Sequence, residues 1–114
     1  MQQIPYTEVT SGHFVSPAPA DGDYLVVSYN DDPVRTRYGM MVDQVFPWCA
    51  EVFSFNGGMY DPKASGSSPK DIAERYPVLG VFLVGLTWQR RQELTTEFAQ
   101  IGIELVPAKT EATA

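Results

Sequence analysis

Proline placement limits this chain more than any other feature. Nine prolines occur in 114 residues, and each fixes φ and removes a backbone donor. Pro5, Pro17 and Pro19 rule out a long helix near the start, and Ser16 to Ala20 reads as a short polyproline segment. Residues 1–20 are therefore expected to form an extended arm, in which 6–15 has the makings of an edge strand. Pro33 closes a turn, Pro47 interrupts the strand pattern, and Pro77 disfavours helix at Tyr76. Between Pro77 and Pro107 the chain is free of proline, and only there is a long helix expected.

Periodicity fills in the rest. Residues 24–29 alternate as a strand, with Leu25, Val27 and Tyr29 on one side and Tyr24, Val26 and Ser28 on the other. Residues 37–46 and 48–55 are two further strand candidates. Asn56-Gly57-Gly58 is a tight-turn signal, and Met59-Tyr60 returns as a short strand. Residues 61–68 contain Pro, Gly and three Ser and read as a loop. Ser68-Pro69 opens a helix of about two turns, with Asp71 suited to its positive end. Residues 78–84 are apolar on both faces, as in a central covered strand. Thr87 caps a helix over 88–101 whose apolar stripe is Leu94, Phe98 and Ile101. Residues 103–106 form a last strand.

The expected class is α+β. An antiparallel N-terminal meander joins a C-terminal strand–helix–strand unit in one mixed sheet, with the helices on one face. The last two strands are expected to pair in parallel through a right-handed crossover. The core is expected from Leu25, Val27, Met40, Val42, Phe53, Val81, Leu83, Leu94, Phe98 and Ile101. Residues 21–108 form one domain in this reading, and 109–114 a flexible tail without a large apolar residue.

Charge and chemistry narrow the function. With 8 basic and 14 acidic residues the net charge is −6, the wrong sign for a nucleic-acid surface. The one cysteine allows no intramolecular disulfide and no cysteine-built zinc site. No apolar run is long enough to span a bilayer, and no secretory signal is visible at the start. The expected setting is the cytoplasm, or the host cytoplasm or virion if the source is a virus.

No catalytic, cofactor-binding or metal-binding set is expected. Cys49 and His13 are the types that make a nucleophile and base, but nothing pairs them, and Cys49 reads as a core cysteine with an inert thiol. Asp21/Asp23 and Asp31/Asp32 are paired carboxylates in turns, where aspartate caps local backbone. Gly57-Gly58 and Gly85 lack the spacing of a phosphate-binding loop.

Aromatic residues point elsewhere. The chain has six Tyr, six Phe and two Trp, several of them in loops or at element ends. Tyr and Trp are favoured interface anchors. The expected function is a non-enzymatic structural or protein-interaction protein, a phage or virion component or accessory protein among the possibilities. It would bind other protein chains, as a homo-oligomer, through Ile4, Tyr6, Phe14, Trp48, Tyr60 and Tyr76. The alternatives are a small-molecule module using the end of strand 78–84, or an enzyme without a recognisable motif.

Overall fold

The computed structural model describes residues 1–9, 20–29 and 47–108. Six strands and two helices follow in the order β1 (Gln2–Val9), β2 (Gly22–Tyr29), β3 (Trp48–Asn56), β4 (Met59–Gly66), α1 (Pro69–Arg75), β5 (Gly80–Val84), α2 (Trp88–Gln100) and β6 (Ile103–Pro107). They make one mixed sheet with the strand order β4-β3-β2-β5-β1-β6. The protein is α+β. The expected strand over 37–46, with Met40 and Val42, lies outside the described residues, as do Phe14 and the tail 109–114.

The meander is β2-β3-β4, antiparallel throughout. Gly57 and Gly58 turn the β3–β4 hairpin with φ of 62° and 84°, the pair of positive values that a two-residue turn matched to sheet twist requires. The strand–helix–strand unit is β5-α2-β6. Thr87 Oγ1 accepts the Arg90 N–H at 3.2 Å and starts α2; Ser68 Oγ accepts the Asp71 N–H at 3.3 Å and starts α1.

Two expectations need correction here. First, β5 and β6 do not pair with each other. β1 lies between them, parallel to both, with Tyr6 opposite Val81 and Ile4 opposite Leu105. Residues 2–9 are thus an interior strand, not part of an extended arm, and Ile4 is 3% exposed inside the chain's own core. The physical reason is the helix between β5 and β6. An α-helix with side chains is about 10 Å across, close to two strand spacings of about 4.8 Å, so the crossover can step over one strand. Second, residues 61–66 are strand, not loop. Counting from the pair Asn56–Met59 beside the turn, alternate residues of β4 point their N–H groups away from β3. Pro62 falls at such an outward position, so its missing donor costs the ladder nothing. Lys63 is the extra residue of an irregularity there, since Val52 pairs with Ala64 and Phe53 with Pro62.

Both helices pack on one face. Ile72 and Ala73 of α1 and Leu94 and Phe98 of α2 share a cluster with Ile4, Leu25, Val27, Ala50, Val52, Val81, Leu83, Ile103 and Leu105. Handedness explains this. The crossovers β4-α1-β5 and β5-α2-β6 advance in the same direction across the sheet, so right-handed connections put both helices on the same side. Phe53 alternates away from this cluster and is only partly buried, and Ile101 packs at its rim.

A chain lacking residues 1–9 is expected to lose cooperative unfolding in urea, because its removal opens the sheet between β5 and β6. A sharp transition at the wild-type midpoint in that truncation would show that β1 is dispensable.

Candidate functional site

The face opposite the helices carries an aromatic row. Alternation places Tyr24, Val26, Phe53, Phe55, Tyr60 and Phe82 there. Their rings touch in sequence: Phe82 lies 5.8 Å from Tyr24, Tyr24 5.4 Å from Phe55, Phe55 5.5 Å from Tyr60, and Tyr60 5.3 Å from Phe53. Edge-to-face geometry, as in the Tyr24–Phe55 and Phe53–Tyr60 pairs, adds about 0.5–1.5 kcal/mol to simple burial.

This row reaches the surface at the amino ends of β2 and β5. Gly22 has φ +145°, and a Cβ there would occupy the place of Leu79 Cδ1, so the Leu79 side chain lies directly over β2. The Leu79 N–H donates to the Asp23 carbonyl at 2.8 Å, which fixes that position. Gly22 pairs with Phe55, and Phe55 with Tyr60. The result is a strip with Phe55, 3% exposed, as its floor and Leu79 at 55% and Tyr60 at 48% as its walls. Met59, at 75%, projects from the hairpin on the other side.

Asp21 borders the strip. Its Oδ1 accepts the Gly57 N–H at 2.9 Å, pinning the hairpin tip. Burial pushes the Tyr24 hydroxyl above the usual phenol range, and the Asp21 charge adds to the effect; that hydroxyl donates to the Ala20 carbonyl at 2.9 Å. Asp23 faces the other way. It accepts Lys63 Nζ at 2.6 Å and Ser54 Oγ at 2.5 Å. These two donors, Lys63 first, hold its carboxyl below the ordinary carboxylate range.

At the opposite end of the sheet the charges are paired among themselves. Arg91 binds Glu8 at 2.6 Å and Arg90 binds Glu93 at 2.8 Å, while the Arg90 guanidinium stacks 4.1 Å from the Tyr29 ring centroid. These contacts tie α2 to β1 and β2. Among the described residues no group of three His, Cys, Asp or Glu side chains is placed to hold a metal ion, and no helix is long and apolar enough to cross a membrane.

The structure does not gather the residues expected to form an interface. Ile4 belongs to the core; Tyr6, Trp48 and Tyr76 are half-buried against it, and Trp48 meets Tyr29 edge-on at 4.8 Å. Only Tyr60 lies on the strip. Leu79 and Phe55 were missed. Leu79 sits in an apolar run that reads as one covered strand, whereas β5 begins only at Gly80, leaving Leu79 outside the ladder. Cys49 also departs from expectation. It is exposed, because it pairs with Ser28 on the helix-free face and not among the buried residues of β3.

No protein-family model matches the chain, no curated protein is similar to it, and no solved structure matches its fold.

Asp23 makes stability depend on acid. A carboxyl held low in the folded state contributes stability above its unfolded value of about 3.9, and that contribution is lost as pH falls through the folded value. Asp23→Asn is expected to lower stability at neutral pH by no more than about 1 kcal/mol, as for a largely exposed pair, and to flatten the loss below about pH 4. Urea midpoints across an acid series read both effects; parallel curves for variant and wild type would remove Asp23 from the acid response.

Cys49 is expected to react with a thiol reagent in the native protein at neutral pH as fast as a short unfolded peptide does. Labelling that waits for denaturant would place the side chain in the interior.

Proposed function

We propose that this chain is a non-enzymatic interaction protein, a structural or accessory component that presents the amino end of its helix-free face to other protein chains. One observation carries the reading: two large apolar side chains, Leu79 and Tyr60, stand about half exposed over a buried aromatic floor. Large apolar side chains grouped on a surface mark interaction sites more often than scattered ones do. Aromatic anchors seated in a packed surround are the usual centres of binding energy.

The mode differs from arm exchange. An N-terminal arm reaching a neighbour has lost its physical basis, since β1 is held on both sides by β5 and β6. The outer strands are also poor templates for strand addition. Pro62 removes an outward donor from β4, Lys63 places a charge and an irregularity beside it, and β6 has five residues and ends at Pro107. These are the devices by which sheet edges avoid pairing. Self-association, if it contributes, has the same strip as its route.

Leu79→Asp tests the reading. In an extract of the cells that make it, the wild-type chain is expected to elute in a complex heavier than itself, and the variant at the mass of the free chain with an unchanged melting temperature. Elution of both as the free chain would end the interaction reading.

A further inference from the structure

The strip has one sign of charge. Asp21 stands at its rim with one carboxylate oxygen engaged by the Gly57 N–H at 2.9 Å, and Asp21 is exposed. The hairpin's cation, Lys63, is held on the opposite face by Asp23 at 2.6 Å. Arg90 and Arg91 are at the far end of the sheet, each bound to a glutamate. Glu51 and Glu104 are the further charged residues that alternation places on this face among the described strands, and both are acidic.

We propose that the Leu79–Phe55–Tyr60 strip binds a polypeptide segment that presents a lysine or arginine next to an apolar side chain. This rests on the interaction reading and adds the chemistry of the partner. The apolar side chain seats between Leu79 and Tyr60 on Phe55. The cation meets Asp21, where a charge-assisted hydrogen bond is open to it, and lies within reach of the Tyr60 ring face, which attracts cations over about 6 Å.

Dimensions agree. Leu79 lies over β2 and Tyr60 is two strands away in β4, a span of about 10 Å at the usual strand spacing. An extended segment puts side chains on the same side about 7 Å apart, so an apolar residue and a cation two positions away fit the strip together. A second copy of this chain fits less well. It brings another net charge of −6 and, in a two-fold interface, a second Asp21 into the same contact with no cation to meet either. The strip is small, which places the contact in the weak, transient class of interfaces.

The test is amide NMR on the full chain titrated with three synthetic peptides: alternating arginine–leucine, glutamate–leucine and arginine–serine. The arginine–leucine peptide is expected to shift the amides of residues 21–24, 55–60 and 79. The glutamate–leucine peptide should leave them in place, and the arginine–serine peptide should bind roughly tenfold more weakly for want of apolar burial. Asp21→Asn is expected to weaken arginine–leucine binding about fivefold, a modest loss for a charge-assisted bond at an exposed site; Leu79→Ser weakens it through the other half of the contact. The proposal is overturned if the acidic peptide binds as well as the basic one, if no peptide shifts these amides, or if the shifts centre on Glu51 or Glu104. It is overturned too if the same amides shift with protein concentration alone, which identifies the occupant as a second copy. In each of these cases, loss of the complex in the Leu79→Asp extract still upholds an interaction role for the strip, so the two readings fail separately.

Discussion

The parallel pairing of β1 with β5 and β6 is the contact on which the rest of the sheet depends. Without it, the chain divides into a β2-β3-β4-β5 sheet and a detached β6 carried only by α2. Ile4 is the side chain that closes the gap. It lies opposite Leu105 and enters the same cluster as Leu94, Phe98 and Ile103. The Arg91–Glu8 pair at 2.6 Å adds a tie from α2 to the far end of the same strand. An exposed pair of this kind contributes at most about 1 kcal/mol, so apolar burial around Ile4, not the ion pair, holds β1 in place.

With β1 in position, the two faces of the sheet acquire different tasks. Crossover handedness sends both helices to one side, and that side takes the aliphatic residues: Leu25, Val27, Val52, Val81 and Leu83. The other side is left with the aromatic alternation of the same strands. Rings cover a sheet without a helix because each spans the distance to its neighbour on the next strand, as the 5.4 Å and 5.5 Å contacts of Phe55 with Tyr24 and Tyr60 show. The apolar strip at the amino end follows from this division. Leu79 completes the row by lying on Gly22, the one position of β2 with no side chain to block it.

Local structure was legible in the sequence, and long-range pairing was not. The hairpin turn, both N-caps, the bounds of α2 and the inward set Leu25, Val27, Val81, Leu83, Leu94 and Phe98 all follow from neighbours within a few residues. Residues 2–9 mislead because Pro5 reads as a strand breaker, and nothing nearby says that partners lie some 75 to 100 residues away at Val81 and Ile103. Residues 61–66 mislead for a related reason. Pro, Ser and Gly read as loop, yet in an edge strand only every second donor is needed, and Pro62 falls on the other set. Cys49 was misplaced because its neighbours are apolar, while its face is decided by register with Ser28.

The same register accounts for why one of six aromatic or apolar candidates reached the strip. Composition identifies residues able to anchor an interface, but exposure is set by which strand lies beside each one. Tyr76 follows α1 and folds back on the core; Trp48 begins β3 on the helix side, edge-on to Tyr29 at 4.8 Å. Tyr60 differs because β4 is the last strand, so its ring has a packed neighbour on one flank and open solvent over part of its area. An edge strand blunted against pairing by Pro62 and Lys63 therefore still offers its face. That combination, a closed edge beside an exposed ring, directs association toward side-chain contacts, in which specificity comes from charge and shape and not from backbone hydrogen bonds.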